Sequence, residues 1–249
     1  MLQKFALVTG ASSGIGAEIA KKFSEMGYFV GLAGRDQMRL NEVSKKLSGK
    51  SQNFTFDLSS KERTDEFAIS VLKFLEEHQL QLKALVNNAG IFERKSFEDS
   101  PLSLWEHQFR VNLYAPIQLT HALKDVIKKD QTSIVNISST LGLRPVAMTS
   151  AYSASKAALN NWTQTLSLEW AEFGVRANAI CPGLVDTPIH DFHFEKEDSE
   201  TRKGAHQAQP LGRMGTGEDI AEAAYFLASE KSSWVTGSLW TVDGGISLL

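Results

Sequence analysis

Tyr152 and Lys156 stand four residues apart at the start of an Ala-rich stretch with helical spacing, so their side chains share one face of a helix. An ammonium beside a phenol favours the phenolate. It therefore draws the tyrosine pKa from about 10 toward working pH, as a proton-transfer residue requires. The pair alone is commonplace in helices that do no chemistry, so its neighbours have to decide. Far away in sequence, Thr9-Gly10-Ala11-Ser12-Ser13-Gly14-Ile15-Gly16 follows a short apolar run and leads directly into a helical pattern. Glycine there allows positive φ and close backbone approach, and the first N–H groups of the helix would hold an anion such as a pyrophosphate. A strand, a Gly-rich turn and a helix in that order point to a dinucleotide site.

The next apolar run, 28–33, leads into Gly34 and Arg35. In a dinucleotide fold an acidic residue at that strand end would bond the 2′-hydroxyl of NAD. Gly34 removes that carboxylate and the Arg35 guanidinium suits a 2′-phosphate, so NADP(H) is the expected cofactor. Asp36 is the competing partner for Arg35.

These residues need a frame. Apolar runs suited to buried parallel strands occur at 5–8, 28–33, 54–56, 84–86, 134–137, 175–181 and 239–242. Between them, apolar residues recur at helical spacing: Ile15, Ile19 and Phe23; Phe67, Val71, Phe74 and Leu75; Trp105, Phe109 and Leu113; Leu159, Trp162, Leu166 and Trp170. The alternation predicts a parallel sheet covered by helices on both faces, in a single α/β domain over 1–249. Residues 189–209 break the rhythm, without a strand or helix period, and read as an insertion serving as a substrate lid. Thr216, ahead of Gly217-Glu218-Asp219 and an apolar run, predicts a capped helix start. Pro116 lies four residues after Asn112 in what reads as one long helix from near Leu102. It has no N–H to offer the Asn112 carbonyl.

With these pieces together, the chain resembles the short-chain dehydrogenase/reductase family over nearly its whole length. The matching segments are Thr9 to Gly16 for T-G-x-x-x-G-x-G, Asn87-Asn88-Ala89-Gly90, Asn112, Ser139, Tyr152 to Lys156, and Pro182-Gly183. The resemblance implies a Rossmann-type doubly wound domain with a seven-stranded parallel sheet, a nicotinamide cofactor, and a tetrad of Asn112, Ser139, Tyr152 and Lys156. Ser139 rather than Ser138 follows from the family's spacing of 13 residues to the tyrosine. The resemblance also implies cofactor contacts from Gly10, Ser12, Ser13, Gly14, Ile15 and Gly16 in the loop. Asp57 and Leu58 would meet the adenine, Asn88 would line the channel, and Val185 and Thr187 would meet the nicotinamide carboxamide. Asp57 also reads as an ordinary turn or cap residue. In a carbonyl reduction Tyr152 would donate the proton and Ser139 would polarise the substrate oxygen. Lys156 would tune Tyr152 and bond the nicotinamide ribose.

The 249 residues include 26 basic and 29 acidic side chains without a long basic block, which argues against nucleic acid or an anionic membrane as partner. The expected partner is a small-molecule carbonyl or alcohol. Residues 1–10 lack a signal-peptide pattern, and no run approaches the roughly 18 apolar residues of a membrane span. Cys181, the only cysteine, reads as a small buried residue and not a nucleophile, and the expected location is cytoplasmic. His190 and His193 lack a third ligand at a recognisable spacing, so no metal is expected. Trp105, Trp162, Trp170, Trp234 and Trp240 read as core or subunit-interface residues, and the resemblance of two helices to family pairing helices implies a homotetramer. Two rival readings stand. One is a 3-oxoacyl-carrier-protein reductase, in which Lys128 and Lys129 would meet an acidic carrier. The other is a non-catalytic NADP(H)-sensing regulatory protein, which would need the Gly-rich loop and Arg35 but not Tyr152 beside Lys156.

Overall fold

Seven short runs form one sheet: β1 Gln3–Thr9, β2 Phe29–Gly34, β3 Ser51–Thr55, β4 Leu80–Asn87, β5 Ser133–Ile137, β6 Arg176–Pro182 and β7 Leu239–Val242. The computed structural model describes residues 2–187 and 200–249. Strand order is β3-β2-β1-β4-β5-β6-β7, and every neighbouring pair is parallel. The expected seven-stranded, doubly wound sheet is therefore present. Its third strand lies earlier than the apolar run at 54–56, because pairing with β2 runs from Ser51 opposite Val30 to Thr55 opposite Gly34.

The strands are joined by α1 Gly14–Glu25, α2 Gln37–Lys46, α3 Lys61–Glu77, α4 Leu102–Phe109, α5 Ala115–Ala122, α6 Lys124–Asp130, α7 Ser150–Trp170, α8 Glu200–Gln207 and α9 Gly217–Ala228. Side chains alternate across the sheet, so each face builds its own core. Ala6 and Val8 of β1 pack with Ile19 and Phe23 of α1 and Ile220 and Leu227 of α9. Phe5 and Leu7 face the other way, against Phe67 and Val71 of α3, Leu119 of α5 and Leu166 of α7. The chain first winds outward through β2 and β3 and then returns to β4 on the other side of β1. A crevice opens where the strand order reverses, at the carboxyl ends of β1 and β4.

Two details differ from the sequence expectations. The long helix from Leu102 does continue to Ala122, but through a wider turn at Arg110–Tyr114, where the Ala115 N–H reaches back five residues to the Arg110 carbonyl. This widened turn lies just ahead of Pro116, whose missing N–H breaks the regular ladder. Within the stretch 189–209 read as lacking a helical period, α8 occupies Glu200–Gln207; the remainder of the expected lid up to residue 199, with His190 and His193, lies outside the described residues. Trp234 is 99% exposed, so of the two places expected for the tryptophans this chain by itself excludes only the core for that one. The capped helix start is as expected: the Thr216 hydroxyl accepts from the Asp219 N–H, and the Asp219 carboxylate accepts from the Thr216 N–H. Among the described residues no helix is long and apolar enough to cross a membrane.

β4 begins before its neighbour β5, which pairs only from Ser133 opposite Ala84. The overhanging backbone of Leu82 is satisfied by the turn that precedes β5. Its N–H donates to Asp130 Oδ2 at 2.8 Å, and its carbonyl accepts from Thr132 Oγ1 at 2.5 Å. Asp130→Ala leaves the buried Leu82 N–H unpaired. It is expected to destabilise the fold by about 1.5–3 kcal/mol in denaturant unfolding, without altering ligand binding at the far end of the strand.

Candidate active site

β1 ends in Thr9, and the chain must turn sharply there to start α1. Gly10 and Gly14 take φ of +66° and +53°. A Cβ on Gly16 would sit 2.2 Å from the Gly10 carbonyl oxygen, and one on Gly10 would sit 2.8 Å from Ala89 Cα. The turn is thus possible only for glycine at these places. The loop is stitched to the end of β4. Thr9 Oγ1 accepts from the N–H groups of Asn88 at 3.0 Å and Ala89 at 3.1 Å, and Asn88 Nδ2 donates to the carbonyls of Thr9 and Gly10. The N-cap residue of α1, Ser13, makes no side-chain cap bond, and the first turn carries no acid. Asp36, Ser60 and Thr216 do cap α2, α3 and α9. The uncapped N–H groups, their dipole and the glycine cradle fit a pyrophosphate.

Arg35 lies exposed at the end of β2, where it lines the cleft. Asp36, the competing partner, is committed elsewhere: its carboxylate accepts from Met38 N and Arg39 N and lies 3.4 Å from the Arg39 guanidinium. Asp57 is the turn residue of one of its two expected readings, and its place in the cleft leaves the other open. Its Oδ1 accepts from Ser59 N at 2.9 Å as a turn residue, and it lines the same cleft beside Leu58. Partial burial pushes its pKa up, but the hydrogen bonds from Ser59 and the charge of Arg35 outweigh that and hold the carboxyl below its usual range.

At the opposite end of the cleft, α7 presents Tyr152 and Lys156. Lys156 is buried, and its Nζ donates to the Ile137 carbonyl at 2.8 Å where β5 ends. Nζ lies 5.7 Å from the centre of the Tyr152 ring. Burial pulls the Lys156 pKa down to about 8. The same burial raises Tyr152 to about 12, against a hydrogen bond from Ser139 that lowers it. This corrects the expectation of a phenol drawn toward neutrality: in the chain by itself, loss of water outweighs the hydrogen bond from Ser139. Ser139 meets Tyr152, whereas Ser138 donates to the Lys156 carbonyl at 3.3 Å, so it is Ser139 that faces the phenol. Cys181 is buried and pushed up to about 11 by that burial, which suits the inert reading.

Asn112 does not line the cleft. Its amide stands behind it, donating from Nδ2 to the Ile91 carbonyl at 3.0 Å and to Ser155 Oγ at 3.1 Å, and accepting at Oδ1 from Ile91 N at 2.9 Å. Ser155 in turn donates to the Tyr152 carbonyl at 2.7 Å. Asn112 thereby ties the loop after β4 to the turn of α7 that carries Tyr152 and Lys156. Gly90 leaves the room, since a Cβ there would lie 3.3 Å from Asn112 Oδ1 and 3.6 Å from Lys156 Nζ.

A single cleft of about 760 Å³ connects both ends. Of the cofactor candidates, Gly10, Ser12, Ser13, Ile15, Gly16, Arg35, Asp57, Leu58, Asn88, Val185 and Thr187 line it, as do Ser139, Tyr152 and Lys156; Gly14 lies in the turn behind. Sequence reading missed Thr9 and Ser155 as organisers, because a buried hydroxyl that bonds backbone has no spacing signature. It also missed Phe92, whose ring lies 4.7 Å from that of Tyr152, edge to face. The predicted meeting of Lys128 with a carrier finds Lys128 already placed over the rings of Phe173 at 4.0 Å and Trp170 at 5.3 Å.

Known proteins share this arrangement. Residues 10–247 match the family described as enoyl-(acyl carrier protein) reductase. The chain is 36% identical over 249 residues to a 3-oxoacyl-[acyl-carrier-protein] reductase of Chlamydia muridarum, covering 99% of this chain and 98% of the relative. It is also 36% identical to a 2-dehydro-3-deoxy-D-gluconate 5-dehydrogenase of Bacillus subtilis, covering 97% and 94%. A solved short chain dehydrogenase/reductase family protein superposes with a TM-score of 0.89 at 31% identity, covering 100% of this chain and 99% of the other.

The depressed lysine has a consequence for stability. Between about pH 8 and 10.5 the unfolded chain keeps a proton on Lys156 that the folded chain has lost, so raising pH favours the folded state. Tyr152 and Cys181, both raised, act oppositely at higher pH and largely cancel when the protein is compared with Lys156→Met. The stability of the cofactor-free protein relative to Lys156→Met should rise by about 2 kcal/mol from pH 8 to pH 10 in denaturant unfolding. A flat difference would show that the ammonium is not penalised.

Proposed function

Since the chain belongs to the short-chain dehydrogenase/reductase family of oxidoreductases, whose members use nicotinamide cofactors, we propose that it reduces a carbonyl compound with NADPH through Asn112, Ser139, Tyr152 and Lys156. The observation that carries this reading is the Tyr152 phenol, which faces Ser139 and has the Lys156 Nζ 5.7 Å from its ring centre, all three residues lining one cleft.

The nicotinamide cofactor, when bound, supplies the hydride that the carbonyl carbon accepts. The remaining work falls to the chain. The uncapped start of α1 and its glycine turn hold the pyrophosphate, and Arg35 takes the 2′-phosphate that Gly34 leaves unopposed. Ser139 donates a hydrogen bond to the substrate oxygen as negative charge develops there. Tyr152 passes its proton to the same oxygen, giving the alcohol and a phenolate. The Lys156 ammonium stabilises that phenolate, which lowers the effective pKa of Tyr152 at the moment of transfer. Lys156 also bonds the ribose, and Asn112 positions the α7 turn that carries both groups.

A 3-oxoacyl-carrier-protein reductase is the second reading, favoured by the Chlamydia muridarum relative and by the apolar lining from Phe92, Leu141, Val146 and Leu184. Lys128 speaks for neither, being occupied by its own aromatic neighbours. A purely sensing role would leave the Ser139–Tyr152–Lys156 arrangement without a task. The exposed Trp234 and Leu168 support self-association, and we carry forward a cytoplasmic homotetramer as part of this reading.

Tyr152→Phe removes only the proton donor. It should abolish at least about 99% of NADPH-dependent ketone turnover, in line with the 10²–10⁴-fold that such groups contribute, while NADPH affinity measured by nicotinamide fluorescence stays within a few-fold. Near-normal turnover would end the mechanism. Arg35→Ala should weaken NADPH by roughly ten- to a hundredfold and leave NADH nearly unchanged, as a lost charge-assisted hydrogen bond is worth about 1.5–3 kcal/mol. An equal loss for both cofactors would show that Arg35 does not read the phosphate.

A further inference from the structure

The segment that follows β7 returns over the carboxyl end of the sheet and places Ile246 in the wall of the cleft that holds Ser139 and Tyr152. Its path is built. Asp243 Oδ1 accepts from the Gly245 N–H and Oδ2 from the Ser247 N–H, each at 3.0 Å, so one carboxylate clamps the backbone on both sides of Ile246. Gly244 and Gly245 make the reversal with φ of +62° and +89°. Underneath, Gly183 leaves space for the clamp, because a Cβ there would sit 2.8 Å from Asp243 Cα. Its N–H donates to the Val242 carbonyl at 3.1 Å.

The segment is also held from its other side by residues just after α8. The Leu211 N–H donates to the Gly244 carbonyl at 3.1 Å. Gln209 is 2% exposed and donates from Nε2 to the Leu184 carbonyl at 3.2 Å, and Pro210 lies against Gly245. The position belongs to the reacting end of the cleft: Thr140, next to Ser139, donates to the Pro182 carbonyl at 3.2 Å, one residue before Gly183. The other apolar lining there comes from Phe92, from Leu141 and Val146 on the connection between β5 and α7, and from Leu184.

We propose that Ile246 is a specificity-determining residue that limits the length of the substrate's apolar arm, and that the Asp243 carboxylate is the positioning residue that holds it there. The proposal rests on the carbonyl-reductase reading and names the part of the substrate that this wall would sort: the alkyl portion remote from the reacting oxygen. A side chain clamped by backbone bonds on both sides cannot swing away at low cost, so its bulk counts directly against a longer arm.

The test is the chain-length profile for straight methyl ketones, from butanone to decanone, reduced with NADPH by the full protein. Ile246→Ala should move the preference toward longer ketones and Ile246→Trp toward shorter ones. Each should change the ratio of kcat/KM for decanone to that for butanone by about fourfold for every methylene admitted or excluded. Asp243→Ala should shift the profile in the same direction as Ile246→Ala, and NADPH affinity should stay within about twofold throughout. An unchanged profile in both Ile246 variants would overturn the proposal. A wild-type protein that reduces none of these ketones would instead sink the free-ketone reading on which the proposal rests. The clamp is then decided by amide exchange, which Asp243→Ala should accelerate at Gly245 and Ser247; unaltered protection there would overturn the positioning role.

Discussion

The burial of the Lys156 ammonium is the constraint from which the rest of the site follows. A charge taken from water needs acceptors and space that exclude water without crowding it. Here the end of β5 offers the Ile137 carbonyl, Gly90 leaves the approach open, and Asn112 braces the adjoining loop. The cost appears as a lysine pulled down to about 8 while its neighbour Tyr152 is pushed up to about 12. Two titratable groups driven in opposite directions by one dry environment are suited to hold a proton and then release it when negative charge forms beside them.

That environment is assembled from elements far apart in sequence, and the crevice between β1 and β4 keeps them in register. Thr9 does much of the joining. Its hydroxyl accepts two backbone N–H groups from the end of β4, so the Gly-rich turn and the loop leading toward Lys156 are bonded directly to each other. Asn112 performs the equivalent task at the other end through Ile91 and Ser155. Because the helix carrying Asn112 widens just before Pro116, the segment that bears it departs from a regular ladder at the place where its side chain must reach sideways.

How far this was legible depends on whether a residue acts through pattern or through a contact. The strands showed as apolar runs because both faces of a parallel sheet are buried, and the Gly-rich turn showed because glycine is required by its positive φ. That Tyr152 and Lys156 share a helix face showed in their spacing, Ser139 stood out only through the resemblance to the family, and Arg35 through the missing acid at Gly34; all four line the cleft. Other features were beyond such reading. The direction of the Tyr152 shift depends on how much water the folded chain removes, which helix spacing does not contain. The helix at Glu200–Gln207 carries too few apolar residues to show a stripe. Asp130, a lone acid at a helix end in the sequence, earns its role only because β4 overhangs β5. Ile246 was silent for the same reason: its place in the cleft comes from the Asp243 clamp and two successive glycines.

The two ends of the cleft are built on different principles. At the end formed by the Gly-rich turn the wall is backbone fixed by glycines and by buried stitching, where a Cβ on Gly10 or Gly16 would collide with main chain. At the reacting end the apolar lining comes from Phe92, Leu141, Val146, Leu184 and Ile246, which lie on four different segments outside the strands and α-helices. Exchanging one of these alters volume and shape without touching the bonds that hold Lys156 or the phosphate turn. A fold arranged this way keeps one hydride chemistry while its substrate is set by a few independent side chains, so the relatives can carry names as different as an acyl-carrier-protein reductase and a sugar-acid dehydrogenase at the same level of identity. Substrate identity in this chain therefore has to be sought in that apolar wall, because the catalytic residues that define the family are indifferent to it.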